Sequence, residues 1–280
     1  MIAFLGQGGL KMNSDRFRIL ACLLVGILFF WPAWDRAVAE TIPVPSANPA
    51  APPTFTLYWP GAGSRALLIL IPGGEGQLNL KPGQLDVGNQ FYQTLKGLSQ
   101  GANPKEILDV VLFDSPVRLA NSRSYPTSRA TADHLSRIGD VIRFYRQKTG
   151  KPIWLMGHSN GAVSVTEYVR YAHKLGQDNA IAGLIVSGAR DVAYFDTTPL
   201  DLPVLFMVHR KDGCPATDQN GPSGNFKKVQ GLNKAQTSFV YIETGSPENS
   251  SPCSSGYHMY NGATQEVITT LRHFIVPFIQ

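Results

Sequence analysis

The chain has little charge and no long apolar run, and each shortage excludes a class of protein. Only 16% of its 280 residues are charged and 43% are apolar, whereas disordered chains are polar and rich in charge. No apolar run reaches the roughly 18 residues that a membrane-spanning helix needs, which excludes a transporter with several spans. Metal-ligand spacings and the phosphate-binding loops G-x-G-x-x-G and P-loop are also missing. We therefore expect no metal and no organic cofactor.

The first 39 residues have the composition of a secretory signal peptide. Three basic residues precede the apolar stretch 19–31, and the sequence Ala-Val-Ala at 37–39 offers small residues for cleavage. This order of basic, apolar and small residues is typical of export signals. We therefore expect residues 1–39 to be removed during export to a periplasmic or extracellular space, with Met1 or Met12 as the start of the chain.

Loss of this segment would leave a mildly basic chain with two cysteines. The remainder has 21 basic and 18 acidic residues, a net charge of +3. These charges are few and scattered, whereas nucleic-acid binding calls for a clustered basic face, so we expect no nucleic-acid partner. The two cysteines, Cys214 and Cys253, form an even number in an oxidising compartment, which predicts one disulfide bond.

Residues 40–53 contain five prolines and no strand or helix pattern. This composition predicts a flexible, semi-extended leader. The folded unit is then predicted to begin at Thr54 and to form one domain over residues 54–280.

Within that domain, apolar runs alternate with helical patterns. Buried strands are predicted at residues 66–71, 110–113, 153–156, 181–186, 203–208 and 238–242, with an antiparallel edge strand at 55–59. The runs are continuous, as expected when helices cover both faces of a parallel sheet. Apolar residues three and four positions apart predict helices over 130–147 and 264–278. This alternation predicts an α/β fold, a three-layer α/β/α sandwich with a mostly parallel sheet.

One strand of this sheet runs into a motif that carries chemistry. After residues 153–156 comes Gly157-His158-Ser159-Asn160-Gly161, which fits G-x-S-x-G, and then a helix-compatible stretch. Such a tight turn strains the serine backbone and exposes its hydroxyl at the N-terminus of a helix, where the helix dipole favours developing negative charge. The motif predicts Ser159 as a nucleophile. A structural glycine turn with an incidental serine is the alternative.

A serine hydroxyl needs a base to accept its proton, and His258 is our prediction for that base. It lies between the last strand and the C-terminal helix, where its ring can reach back over the sheet. His209 ends a strand, and it either lines the site or is simply buried. An orienting carboxylate should follow an intervening strand, as Asp212 does, with Asp191 and Asp218 as the alternatives.

The predicted disulfide joins the two loops that carry these residues. Cys214 follows Asp212 by two positions, and Cys253 precedes His258 by five. A bond between the cysteines would hold the acid loop against the base loop. A disulfide that closes the loop of residues 214–253 would stabilise the folded state by roughly 4 kcal/mol, as an upper estimate.

The chain order of nucleophile, acid and histidine resembles that of the α/β-hydrolase superfamily, over residues 55–280. The resemblance implies an oxyanion hole built from backbone amides. The loop after the first core strand, where relatives carry H-G-x, here begins Pro72-Gly73-Gly74-Glu75. The amide of Gly74, or alternatively that of Glu75, is implied as one donor and the amide of Asn160 as the other. The Glu75 carboxylate should point elsewhere, since it would oppose an oxyanion.

The resemblance also implies what the site accepts. Many relatives carry a cap between the strands that correspond to 181–186 and 203–208, but too few residues separate them here, so we expect no cap domain and an open site. Arg118 and Arg123 are candidates for binding an anionic acyl or leaving group. We expect a serine hydrolase that cleaves a small-molecule or polymeric carboxylic ester. A peptidase or an acyltransferase would use the same triad, and a non-catalytic binding protein on this fold is the alternative from another class.

Overall fold

The computed structural model describes residues 38–120, 126–193, 200–218, 220–247 and 251–279. Nearly all of the predicted signal peptide, residues 1–37, lies outside the described residues, and so does Arg123.

The described residues form one mixed sheet of eight strands. In chain order these are β1 (Glu40–Val44), β2 (Thr54–Trp59), β3 (Leu67–Ile71), β4 (Asp109–Asp114), β5 (Ile153–His158), β6 (Gly183–Ser187), β7 (Val204–His209) and β8 (Thr237–Ile242). Their order across the sheet is β1-β2-β4-β3-β5-β6-β7-β8. The pairs β1–β2 and β2–β4 are antiparallel, and the pairs from β4 to β8 are parallel.

Five α-helices of the described residues cover the sheet. They are α1 (Gln90–Lys96), α2 (Ala132–Thr149), α3 (Asn160–Lys174), α4 (Asn225–Leu232) and α5 (Thr264–Ile275). Helix α2 begins where the Thr131 side chain accepts a hydrogen bond from the His134 amide, and it ends at Gly150, whose φ of 69° is left-handed. No helix of the described chain is long and apolar enough to span a bilayer.

Side chains of the central strands alternate between two cores. In β3, Ile69 packs into the core that α2 and α3 cover, whereas Leu68 and Leu70 pack into the core that α1 and α5 cover. Because successive side chains of a strand point to opposite faces, one buried strand serves both layers. The predicted three-layer α/β/α sandwich with a mostly parallel sheet is confirmed, and no separate cap domain is seen among the described residues.

The start of the folded unit differs from the prediction. Residues 40–44, expected in a flexible leader, form β1 and pair antiparallel with β2, which therefore lies inside the sheet and not at its edge. The prediction was wrong because Pro43 lacks the N–H of a regular strand residue. An edge strand such as β1 tolerates that missing N–H. The following residues are also tied down, since the Ala47 amide donates to Asp140 (2.9 Å) and Arg137 donates to the Pro52 carbonyl (2.7 Å).

Candidate active site

The serine of the G-x-S-x-G motif stands in a strained turn between β5 and α3. Ser159 has φ 55° and ψ −122°, a conformation that a residue with a side chain rarely adopts. The motif glycines are needed for close approach. A Cβ at Gly157 would collide with the Gly161 carbonyl, and a Cβ at Gly161 would collide with the carbonyl of Ile71. The local sequence therefore dictates the strained turn at the end of β5, although Ser159 itself is only 9% exposed.

The predicted acid and base meet in the structure. Asp212 follows β7, and its Oδ2 lies 2.8 Å from Nδ1 of His258. Both side chains are buried. Oδ1 of Asp212 accepts a hydrogen bond from the Cys214 amide (2.9 Å), and Oδ2 accepts one from the Thr217 hydroxyl (3.1 Å). These donors fix the carboxylate, which in turn fixes the orientation of the imidazole.

The second ring nitrogen of His258, Nε2, is the one that can accept a proton from the nucleophile. Nε2 is buried and has no hydrogen-bond partner among the described residues, the Ser159 hydroxyl included. The ring nevertheless lies beside the nucleophile turn, because its centroid is 5.0 Å from that of His158, the residue before Ser159. Catalytic hydrogen bonds commonly tighten only when substrate binds.

The alternative acids and base have other roles. Asp218 accepts hydrogen bonds from the amides of Asn220 (3.1 Å) and Asn225 (3.0 Å) at the start of α4. Asp191 is exposed. His209 is bonded to the Thr244 carbonyl (3.0 Å) and stacks on Tyr257. Within the described residues, none of the three is bonded to His258, so the geometry favours Asp212 and His258.

The predicted oxyanion loop lies against the nucleophile turn. Gly74 has a left-handed φ of 54°, and its carbonyl accepts a hydrogen bond from Nδ2 of Asn160 (3.0 Å). Oδ1 of Asn160 in turn accepts one from Arg190 (2.6 Å). The amides of Gly74 and Glu75 have no acceptor among the described residues. Either of these two amides is therefore available to a substrate oxygen.

The carboxylate of this loop, that of Glu75, is paired with an exposed arginine. The Glu75 carboxylate forms an ion pair with Arg118, and this pairing raises the pKa of the Arg118 guanidinium. The sequence predicted that this carboxylate points away from an oxyanion. It is directed to Arg118, although Glu75 also lines one of the clefts that reach Ser159. Arg118 is exposed and lines neither of the clefts that reach Ser159.

The predicted disulfide is confirmed. Cys214 and Cys253 are bonded, with their Cα atoms 4.6 Å apart. The bond joins the loop after β7, which carries Asp212, to the loop before α5, which carries His258.

Two open clefts meet at the nucleophile, and Gly74, Ser159, Cys253 and Ser254 line both. The first cleft, of about 570 Å³, is bounded further by polar and small residues: Asn160, Arg190, Asp191, Cys214, Pro215, Ala216 and Ser251. The second, of about 400 Å³, is lined by Glu75 and by apolar, aromatic and amide side chains, among them Leu78, Val87, Asn89, Tyr92 and Met259. Both volumes are in the range of small-molecule sites.

Sequence reasoning missed three buried polar residues behind the site. Arg129 is fully buried, which lowers its pKa to about 9. Burial, together with the charge of Arg129, lowers the pKa of His134 to about 3. Burial and the neighbouring His258 hold the pKa of His158 well below its usual value. A loop arginine looks solvated in a sequence, and only the fold places it in the interior.

Comparisons with solved structures show which proteins resemble this chain in fold. A dienelactone hydrolase from Anabaena variabilis is 13% identical, with a TM-score of 0.58 over 86% of this chain and 98% of that one. An α/β serine hydrolase without lid from Xanthomonas campestris is 14% identical, with a TM-score of 0.55 over 86% and 95%. A hyperthermophilic esterase from Pyrobaculum calidifontis is 11% identical, with a TM-score of 0.58 over 95% and 92%.

No protein-family model and no curated protein sequence matches the chain. At such low identities the structural likenesses establish a shared fold and leave the chemistry to the site.

Proposed function

We propose that this chain, which has the α/β-hydrolase fold, is a serine hydrolase that cleaves carboxylic esters. One observation carries the proposal: Nδ1 of the buried His258 lies 2.8 Å from Asp212, its Nε2 has no partner among the described residues, and its ring lies beside the turn that carries Ser159. A base, an orienting acid and a strained serine are the parts that nucleophilic acyl transfer requires.

In the first half of the proposed reaction, Nε2 of His258 accepts the proton of the Ser159 hydroxyl. The serine oxygen then attacks the ester carbonyl, and the carbonyl oxygen becomes an oxyanion. The amides of Gly74 and Asn160 donate hydrogen bonds to it, with the Glu75 amide as the alternative to that of Gly74. Each such donor lowers the barrier by roughly 2.7–4 kcal/mol. Asp212 stabilises the imidazolium that forms.

In the second half, His258 returns its proton to the alcohol oxygen, and the alcohol leaves. Water, deprotonated by the same Nε2, attacks the acyl group on Ser159. Collapse of the second tetrahedral intermediate releases the acid and restores the serine. A peptidase would protonate an amine instead, and an acyltransferase would replace water by another nucleophile.

The two clefts support an ester with room on both sides of the scissile bond. The site has no cap over it among the described residues, so small-molecule and polymeric esters can both reach Ser159. We also propose export to the periplasm or the medium with removal of residues 1–39. The disulfide supports this, since such bonds persist in oxidising compartments.

A fluorophosphonate probe tests the proposal, because it reacts with an activated serine and forms a stable covalent adduct. We expect the wild type to be labelled and to hydrolyse p-nitrophenyl butyrate, and Ser159→Ala to do neither. Ser136→Ala, at a half-buried position of α2 that lines neither cleft, is the matched control and should behave as wild type. A folded wild type that neither reacts nor hydrolyses esters, amides or lactones would instead favour a binding protein on this fold.

A further inference from the structure

We infer that Arg129 is a positioning residue that sets the geometry of the oxyanion hole by joining its two halves. The inference rests on the proposed function. One donor of the hole lies in the loop after β3, and the other lies at the start of α3, so something must hold these separate elements in register.

The contacts of the Arg129 side chain are concentrated on the oxyanion loop. Arg129 lies in the 3₁₀ turn Thr127–Ala130 and is fully buried. One terminal nitrogen donates to the Pro72 carbonyl (3.2 Å), and the other donates to the carbonyls of Gly73 (3.3 Å) and Gly74 (3.0 Å). A single guanidinium therefore binds three consecutive carbonyl oxygens.

By binding these carbonyl oxygens, Arg129 also fixes the direction of the backbone amides in the same peptide units. In a planar trans peptide, the N–H points opposite to the C=O of the same unit. Because the Gly73 carbonyl faces Arg129, the Gly74 amide points away from it, and the Gly74 carbonyl fixes the Glu75 amide in the same way. These two amides are the candidate oxyanion donors, and neither has an acceptor among the described residues. Arg129 thus fixes both peptide planes from the carbonyl side, opposite the N–H groups.

The same guanidinium reaches the other half of the hole. It donates to the Ser164 hydroxyl (2.8 Å), and Ser164 lies on α3, whose first residue is Asn160. Since that hydroxyl accepts from Arg129, it is free to donate to Nε2 of His134, 2.9 Å away. Arg129 therefore links the loop that carries Gly74 to the helix that carries Asn160.

Packing alone does not explain why a charged side chain, that of Arg129, is buried beside the oxyanion loop. Within the described residues no carboxylate is paired with Arg129. Burying a cation without a counter-ion is costly, and an apolar side chain of similar volume usually serves packing better. The guanidinium fork is suited to binding several acceptors in fixed directions, whereas lysine presents a single point charge. The arginine is thus suited to orienting the three carbonyls.

The test compares Arg129→Lys with Arg137→Lys in hydrolysis of p-nitrophenyl butyrate and in inhibition by butylboronic acid, which forms a tetrahedral serine adduct. Arg137 is a matched buried arginine that binds the Pro52 carbonyl and Asp133, away from the site. We expect Arg129→Lys to lower kcat about 10- to 100-fold with KM within about threefold, because the lost interaction acts in the transition state. Affinity for the boronate should fall by the same factor as kcat/KM, and Arg137→Lys should leave both unchanged.

Ser164→Ala provides a milder variant in case Arg129→Lys does not fold. It removes the link to α3, together with the hydrogen bond to His134, and should lower kcat about 3- to 10-fold, again with boronate affinity falling in parallel. Thermal unfolding of each variant ensures that assays are run on folded protein.

The outcomes separate the two claims. A folded Arg129→Lys with wild-type kcat and boronate affinity, or with a change in KM alone, would overturn the inference and leave the proposed hydrolase intact. The same holds if Arg129→Lys does not fold and Ser164→Ala has wild-type kcat and boronate affinity. A wild type without probe labelling or ester hydrolysis would overturn both.

Discussion

The two halves of the site are held together in different ways. The nucleophile half, Ser159 with the loop at Gly74, rests on buried strands and on hydrogen bonds from Arg129 and Asn160. The acid–base half consists of two loops that follow β7 and β8, and a disulfide joins them. One half is thus fixed by the core of the fold, and the other by a covalent bond between loops.

This difference shows which groups of the site must be positioned most precisely. The nucleophile and the oxyanion donors must match a substrate atom within fractions of an ångström, which rigid elements provide better than loops. The base has to move a proton between Ser159 and the leaving group, so an orienting acid and a cross-link suffice. The following predictions test whether the two halves respond as differently as they are built.

The largest expected effect is on the acid–base half. Asp212→Asn keeps the shape of the side chain but removes the charge that orients and stabilises the imidazole of His258. We expect the kcat for p-nitrophenyl butyrate to fall by about 10⁴-fold.

Asp218→Asn is the control for this variant, because Asp218 was the competing candidate and caps α4 instead. Its kcat should remain within about threefold of the wild-type value, because Asp218 binds the amides of Asn220 and Asn225 and is not bonded to His258. A greater loss for Asp218→Asn than for Asp212→Asn would show that the role of the acid has been assigned to the wrong aspartate.

Next comes the cross-link. Replacing both Cys214 and Cys253 by alanine should lower the free energy of unfolding by up to about 4 kcal/mol, because the unfolded chain regains the entropy of an open loop. Urea denaturation with and without reductant measures this loss. Reductant should destabilise the wild type and leave the double variant unaffected. Equal stability in all four measurements would mean that the loops are held by other contacts.

A pH effect on stability is expected at His134, which is bonded to Ser164 on the helix that follows the nucleophile turn. The pKa of His134 is lowered to about 3, mainly by burial, so below pH 6.5 the unfolded chain binds a proton that the folded chain excludes. Stability is therefore present above about pH 6.5 and is lost as the pH falls toward 3. Between pH 7 and 5 this loss amounts to about 2 kcal/mol.

Denaturation at both pH values should show that His134→Gln loses about 2 kcal/mol less than the wild type on acidification. Val141→Ala, in the same helix, is the control: it lowers stability at both pH values but keeps the wild-type pH dependence. An unchanged pH dependence in His134→Gln would mean that His134 is not held neutral by its surroundings.

The smallest expected effect lies outside both halves. If Arg118 reads the charge of a substrate, Arg118→Ala should lower kcat/KM for an anionic ester relative to a neutral one by a few-fold at most, since an exposed ion pair contributes about 0–1 kcal/mol. Succinyl and butyryl p-nitrophenyl esters provide that ratio. An unchanged ratio would exclude Arg118 from substrate selection.

The sequence predicted the sheet, the strained Ser159 turn and the disulfide because each leaves a local or countable signal. A strand followed by G-x-S-x-G can be recognised without knowing the rest of the molecule. The edge strand β1 escaped prediction because Pro43 and its neighbours look like a leader until β2 provides a partner. Arg129 escaped because its burial depends on Ser164 and on the loop at Gly74, which are distant in the chain.

A mutant cycle on Ser159 and His258 tests the central claim most directly, namely that the two residues act as one unit with Asp212. Rates of p-nitrophenyl butyrate hydrolysis would be measured for Ser159→Ala, His258→Ala and the double variant. If the base works only through the serine, the double variant should be no slower than the slower single variant, within about threefold. Losses that multiply in the double variant would contradict the proposed triad.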